Sequence, residues 1–170
     1  DAIYIYENAV NGNLDLDSSK KYTKNFKMPY SKGLEKYKID DNITLRNLVK
    51  YAITVSDNSA HQMLIDYIGF SKLKSFGNSL GAKNTLIGGD NFGQIDVNDS
   101  IIYLRELYNF IEENSELSSE LKSYFVESDE NFLKDEENNI EAATKYGEYD
   151  STFHNKGIVY AKNPYLLSIL

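Results

Sequence analysis

Apolar side chains recur at spacings of three and four residues in several segments, a pattern typical of helices with one buried face. The clearest of these helices follows Thr44, a residue type that caps helix N-termini, and is predicted to end near Val55. A second helix is expected to follow at once and to end before Gly69, with Tyr67 among its inward-facing residues.

The chain opens with another helical segment, AIYIYENAV, in which Ile3, Tyr6 and Val10 are expected to share the buried face. The pair Asn11-Gly12 is a suitable stop for it. Residues 13–43 lack a sustained period and are expected to form an extended connection with short strands at best. Further helices are predicted from Ser71 to Leu80, from near Asp99, and after Ser115.

The pattern changes in the last 30 residues or so. The segments EAATKYGEY, NKGIVYAK and PYLLSIL are short, rich in β-branched or aromatic residues, and separated by turn residues. They predict a three-stranded antiparallel meander. Helices first and strands last predict an α+β fold, and a length of 170 residues makes one domain the default expectation.

Composition narrows the possible partners. A formal net charge of −8 and a pI near 4.8 argue against binding to nucleic acid or to an anionic membrane surface. The chain has no Cys, which excludes disulfides and thiolate chemistry, and its two His argue against a zinc site, so no cofactor is indicated. No apolar run reaches the ~20 residues of a membrane-spanning helix.

Two short motifs carry candidate chemistry. Ser56-Asp57-Asn58 lies between two predicted helices, and Lys145-Tyr146-Gly147 lies in the first predicted terminal strand. Each has a plain structural alternative, a helix cap for the first and a solvated strand lysine for the second. In this order, with LGAKNT between them, they resemble the motifs of the penicillin-recognising serine acyl hydrolases, meaning class A β-lactamases and the related penicillin-binding D,D-peptidases.

The resemblance extends over essentially the whole chain and implies a fold in which a helical cluster packs against an antiparallel sheet. It implies that the hydroxyl of Ser56 relays a proton and that Asn58 hydrogen-bonds the substrate amide, while Asp57 holds the turn. Lys145 would supply positive potential for the substrate carboxylate, and Gly147 would let the substrate backbone approach the strand. Ser56, Asn58 and Lys145 are therefore expected to converge on one cleft.

Two departures from the family pattern affect the expected chemistry. Tyr146 stands where the family has Thr or Ser, which places the hydroxyl further out and adds a ring to the pocket wall. The family's lactamases use a Glu to activate the deacylating water, but LIGGDNFGQIDV contains none, and Asp90, Gln94 and Asp96 are only guesses for that role. Acylation with slow deacylation is the expectation.

The nucleophile is a further departure. Three S-x-x-K matches begin at Ser18, Ser71 and Ser119, but none has the family's context at the start of a buried helix. Because AIYIYENAVNGNLDLD resembles the remainder of that helix, the resemblance implies that the serine and its lysine lie a few residues before Asp1. Residues 1–170 are accordingly expected to be a single β-lactamase-like domain lacking its N-terminal strands and nucleophile segment.

Two functions from different classes follow from these expectations. The first is a serine acyl hydrolase that acts on β-lactams or on D-Ala-D-Ala-like peptides of peptidoglycan. The alternative is a catalytically inactive module that uses the same pocket, with Tyr146 in its wall, to bind a cell-wall or other peptide ligand. Either would work outside the cytoplasm, at the cell surface or secreted, an expectation that rests on the resemblance alone.

Overall fold

The computed structural model describes residues 1–85, 93–113, 115–149 and 152–170. The chain forms two compact units, Asp1–Leu73 and Lys74–Leu170. No helix within these described ranges is both long and apolar enough to cross a membrane.

The first unit contains helices and one small sheet. Its elements are α1 (Ala2–Val10), β1 (Ser19–Lys21), a single 3₁₀ turn (Lys24–Phe26), β2 (Asn42–Thr44), α2 (Leu45–Thr54) and α3 (Asn58–Ile68). Strands β1 and β2 pair antiparallel, with Lys20 opposite Ile43. Thr44 caps α2 by accepting a hydrogen bond from the Asn47 amide at 3.2 Å, and α2 ends at Val55, so both predicted ends are confirmed.

Helix α4 (Phe70–Leu80) runs from the end of the first unit into the second. The second unit continues with α5 (Val97–Glu112), α6 (Glu116–Val126), β3 (Glu141–Tyr149), β4 (Thr152–Tyr160) and β5 (Tyr165–Ile169). The three strands form one antiparallel sheet in the order β3-β4-β5, with α5 and α6 packed against it. The predicted meander and the α+β class are confirmed.

Two residues predicted to face inward are exposed instead. In α1 the buried residues are Ala2, Ile5 and Tyr6, and Val10 is 45% exposed because it lies about 90° around the helix from the Ile5–Tyr6 direction. Tyr67 in α3 is 41% exposed, whereas Ile68 is buried. A tyrosine has a polar hydroxyl that favours a position in contact with water, whereas isoleucine is wholly apolar and gains more from burial.

Asn84 and Thr85 are held by a buried carboxylate of α5. Asp99 is almost fully buried, and its Oδ2 accepts hydrogen bonds from the Asn84 amide at 2.7 Å and from the Thr85 hydroxyl at 2.8 Å. A buried carboxylate is stable only with such donors. Asp99 therefore anchors residues 84 and 85 to the first turn of α5.

Candidate active site

The turn between α2 and α3 is strained at Ser56. This residue has a φ of 52°, in the left-handed region that non-glycine residues adopt at a cost. The preceding residue, Val55, is the C-cap of α2, and the following residue, Asp57, is the N-cap of α3, so Ser56 is the single residue between two helix caps. Strain of this kind is often kept at functional positions, where it sets the direction of a side chain.

Asp57 fastens this turn to its surroundings. Its side chain is fully buried, with Oδ1 accepting from the Ala60 amide at 2.8 Å and Oδ2 accepting from the Leu34 amide at 2.9 Å. Its own amide donates to the Tyr51 carbonyl at 3.1 Å. Asp57 thus acts as a helix cap and as a clamp on the loop of residues 28–34, and its carboxylate is occupied by structural bonds.

Asn58 is oriented by the same loop. Its side-chain Nδ2 donates to the Pro29 carbonyl at 3.0 Å, and its backbone amide donates to the Tyr30 carbonyl at 3.3 Å. An amide side chain has one donor end and one acceptor end. Because the donor end is held by Pro29, Oδ1 is the atom that Asn58 can present to the N–H of a ligand.

Two serines that the sequence analysis did not single out join the loop to α3. The Ser59 hydroxyl accepts from the Met28 amide at 2.9 Å and lies 2.7 Å from the Ser31 hydroxyl, which in turn accepts from the Ser59 amide at 3.0 Å. For Ser59, the only sequence signal was its position directly after the Ser56-Asp57-Asn58 motif. Ser31 lies 28 residues away in an irregular segment, and no sequence pattern indicates the pairing.

Tyr30 is a further residue that the sequence analysis missed. Its side chain is 82% exposed and its φ is 58°, so the loop holds a large aromatic ring in solvent at a conformational cost. The carbonyl of the same residue accepts the Asn58 amide. A strained, exposed aromatic residue bonded to Asn58 is a candidate for ligand contact.

In the second unit, Lys145 is paired with another lysine. In the β3–β4 register Lys145 lies directly opposite Lys156, so both side chains extend from the same face of the sheet. Like charges in this arrangement are unfavourable. Both lysines are partly buried, and a bound anion would offset the cost of holding their charges together.

The electrostatic effect of this pair appears in three groups. Burial, followed by the charge of Lys156, lowers the pKa of Lys145 to about 7. Burial also lowers the pKa of Lys156, and burial together with the two lysines lowers the pKa of His154. A base with a strongly shifted pKa in a defined cluster is a functional-site candidate. Lys156 was not among the predicted site residues, because its importance depends on the register of β3 with β4.

Gly147 makes room for His154. The two residues are opposite each other in the register, and a Cβ added at Gly147 would overlap the imidazole Nε2 and Cδ2 of His154. That position is far inside van der Waals contact, so no other residue fits at position 147 while the ring stays in place. The histidine ring lies against the strand at the residue where the resemblance implies close approach of a substrate backbone.

The Tyr146 ring contacts both a cation and another ring. The Lys145 Nζ is 4.3 Å from the centroid of the Tyr146 ring and donates to the Tyr146 carbonyl at 2.6 Å. The Phe153 ring stacks on Tyr146 with centroids 6.4 Å apart and planes inclined at 18°. The ring that replaces the family's small hydroxyl residue is therefore part of an aromatic contact beside the lysine.

Of the three candidates for activating the deacylating water, the structure describes Asp96 and Gln94, and neither is suited to the role. Asp96 is the N-cap of α5, accepts from the Asp99 amide and from Asn84 Nδ2, and has a pKa lowered by these bonds, which makes it a poor base. Gln94 is exposed and has no basic group. Asp90 lies outside the described residues.

The two motifs belong to different units. Ser56, Asp57 and Asn58 are in Asp1–Leu73, whereas Lys145, Tyr146 and Gly147 are in Lys74–Leu170. The convergence of Ser56, Asn58 and Lys145 on one cleft stays a prediction. Among the described residues, no group of three or more His, Asp or Glu is arranged to hold a metal ion.

Comparison with known proteins gives a family and a fold. The model of the Beta-lactamase2 family, described as the beta-lactamase enzyme family, matches residues 2–170. No curated protein sequence shows significant similarity to the chain.

Solved structures agree with that match. A β-lactamase from Sphaerobacter thermophilus superposes with a TM-score of 0.81 at 17% identity, over 98% of this chain and 69% of its own. An ancestral class A β-lactamase gives a TM-score of 0.77 at 18% identity, over 98% of this chain and 71% of its own. A β-lactamase from Chitinophaga pinensis gives 0.76 at 19% identity, over 93% and 67% of the respective chains.

Proposed function

The chain belongs to the β-lactamase enzyme family. We propose that it functions as a serine acyl hydrolase that binds β-lactams or D-Ala-D-Ala-like peptides and hydrolyses its acyl-enzyme slowly. The observation that carries the proposal is the cross-strand pair of Lys145 and Lys156. Both substrate classes bear a carboxylate, and two lysines on one face of a sheet supply the positive potential that attracts it.

Ser56 and Asn58 would contribute the polar groups of acyl transfer. Ser56 would pass a proton to the leaving nitrogen, and its strained backbone fixes the direction of the hydroxyl. The Oδ1 of Asn58 would accept the N–H of the substrate's amide side chain, because Nδ2 is held by Pro29. Asp57 has a supporting role, since its carboxylate is engaged by two backbone amides.

Slow deacylation is supported by the residues that precede α5. Hydrolysis of an acyl-enzyme needs a base that removes a proton from water. The segment LIGGDNFGQIDV contains no Glu, and Asp96 is committed to capping α5. An acyl-enzyme that forms and persists is the result expected of such a site. A protein that binds peptidoglycan precursors or β-lactams would work outside the cytoplasm, and we propose that location.

Mass spectrometry of the natural polypeptide after mixing with a fluorescent penicillin tests this function. The serine nucleophile that the family resemblance implies would attack the β-lactam carbonyl, forming an ester while the ring C–N bond breaks and the ring nitrogen takes up a proton. We therefore expect one covalent adduct with the mass of the intact penicillin, released over minutes or longer, and slower adduct formation in Lys145→Met. Rapid turnover with many products per protein would refute slow deacylation. If the penicillin binds reversibly and no adduct forms, the inactive peptide-binding module is the correct alternative. That alternative is worth testing because Tyr146 stands where the family has Thr or Ser.

A further inference from the structure

Three aromatic rings continue outward from Lys145. Beyond Tyr146 and Phe153, the Phe132 ring packs edge-on against Phe153 with centroids 5.5 Å apart and planes inclined at 68°. Phe153 is 48% exposed and Phe132 is 59% exposed. We call Tyr146, Phe153 and Phe132 the aromatic ridge. Two large, exposed, mutually packed aromatic residues form an apolar surface patch, and such patches commonly mark binding sites.

Phe132 is held in place by its own loop. The Phe132 amide donates to the Glu130 carbonyl at 3.1 Å, and Glu130 has a φ of 55°. The Glu130 carbonyl also accepts from Asn155 Nδ2 at 3.3 Å, and Asn131 Nδ2 donates to the Ala142 carbonyl at 2.8 Å. Asparagines in the loop and in β4 thus fix a strained turn on the sheet, and the turn presents Phe132 to solvent.

The aromatic ridge begins next to the ammonium of Lys145. Tyr146 and Phe153 are diagonal neighbours across β3 and β4, since Tyr146 is opposite Asn155 and Phe153 is opposite Glu148. Because side chains alternate along a strand, Tyr146 and Phe153 extend from the face opposite to that of Lys145 and Lys156. The Lys145 ammonium nevertheless lies 4.3 Å from the centroid of the Tyr146 ring, at one end of the ridge, and Phe132 lies at the other end. A ligand held by its carboxylate at the Lys145 ammonium would have the Tyr146 ring, and the rings packed on it, beside it.

We propose that the aromatic ridge binds the aromatic group of a ligand whose carboxylate is bound at Lys145, so that the site selects aryl-substituted carboxylates over simple ones. The inference rests on the proposed function, because it uses the Lys145 ammonium as the group that binds the carboxylate. Ring-on-ring contact and the removal of apolar surface from water both favour an aryl group at this place. The ridge would add affinity, while the lysine would fix the position of the ligand.

The test compares two carboxylates that differ by one ring. Binding of propanoate and of 3-phenylpropanoate to the protein is followed at pH 6 by chemical-shift changes of backbone amides. We expect 3-phenylpropanoate to bind at least fivefold more tightly, with the largest shifts in β3, β4 and residues 130–133. Phe153→Ala and Phe132→Ala should each reduce this ratio to less than twofold while leaving propanoate binding unchanged.

Tyr165→Ala is the matched control. Tyr165 is an exposed aromatic residue of the same sheet, 51% exposed, but it is opposite Val159 and so lies about 20 Å along β4 from Phe153. Its removal should leave the ratio intact. Because all three substituted side chains are at least about half exposed, the variants should fold, and circular dichroism would verify this.

The outcomes separate the two proposals. Equal affinity for the two carboxylates, or a preference that both phenylalanine variants keep, would overturn the ridge as an aryl site and leave the carboxylate site standing. Absence of binding by either carboxylate would overturn the proposed function and the ridge with it. A dimer in size-exclusion chromatography that Phe153→Ala converts to monomer would show that the ridge joins two copies of the chain, which also overturns the inference.

Discussion

Raising the pH from 6 to 8 should weaken the binding of a carboxylate at Lys145 by about one order of magnitude. The pKa of Lys145 is lowered to about 7, mainly by burial and then by the charge of Lys156, so its ammonium form is the minor species at pH 8. If only that form binds the anion, the apparent dissociation constant scales with 1 + 10^(pH − pKa), which is about 1.1 at pH 6 and about 11 at pH 8.

Lys156 and His154, the titratable neighbours of Lys145, also affect carboxylate binding between pH 6 and pH 8. The pKa of Lys156 is also lowered by burial, so loss of its proton would add to the weakening at high pH. His154 has a lowered pKa, which moves its titration to the acid side of the range. Bound anion favours the charged lysine, so binding should take up about half a proton per carboxylate at pH 7.

Isothermal titration calorimetry with 3-phenylpropanoate in two buffers of different ionisation enthalpy measures both the dissociation constant and the number of protons taken up on binding. Lys145→Met should bind weakly and with much less dependence on pH, because the titrating group is gone. Lys162→Met, which removes an exposed lysine from the turn after β4, should behave as the unsubstituted protein does. Equal affinity at pH 6 and pH 8, or binding with no proton uptake at pH 7, would refute this account of Lys145.

Stability measurements by chemical denaturation test four further consequences. Ser56→Gly should be about 1 kcal/mol more stable than Ser56→Ala, because both lack the hydroxyl and only glycine relieves the φ of 52°. Asp57→Ala should cost about 3 kcal/mol, since two buried amides lose their acceptor, and a cost below about 1 kcal/mol would contradict the clamp. Gly147→Ala should cost about 2 kcal/mol through its clash with the His154 ring, and His154→Ala should remove most of that cost in the double variant. The unfolding free energy should rise between pH 7 and pH 9, because unfolded Lys145 keeps a proton that the folded residue has lost; Lys145 alone contributes at most about 1.4 kcal/mol per pH unit, and the lowered pKa of Lys156 acts in the same direction. A flat profile would contradict the shifted pKa of Lys145.

Helix positions and ends were predictable because they depend on residues close in sequence. The Thr44 cap, the end of α2 at Val55 and the stop at Asn11-Gly12 are local hydrogen-bonding and backbone preferences, and each is observed. The inward face of a helix is less certain from sequence alone. Val10 and Tyr67 satisfy the periodic pattern, but the packing partners decide which side of a helix end is covered.

The family was also recoverable from sequence. Ser56-Asp57-Asn58 and Lys145-Tyr146-Gly147, in that order, led to the resemblance that the family match and the structural neighbours confirm. Short motifs of this kind are informative because each residue type has a defined chemical role and the order along the chain is restrictive.

The sequence by itself determined the helices, the terminal meander, the family, and the residue types that could carry acyl-transfer chemistry. Only the tertiary structure decided that Lys156 faces Lys145, that the His154 ring requires Gly147, and that Asn58 is oriented by the Pro29 carbonyl. The physical reason is distance along the chain. A cap or a helix stop involves neighbouring residues, whereas strand register, close packing and loop-to-helix hydrogen bonds join residues 7 to 29 positions apart, and no local preference specifies them.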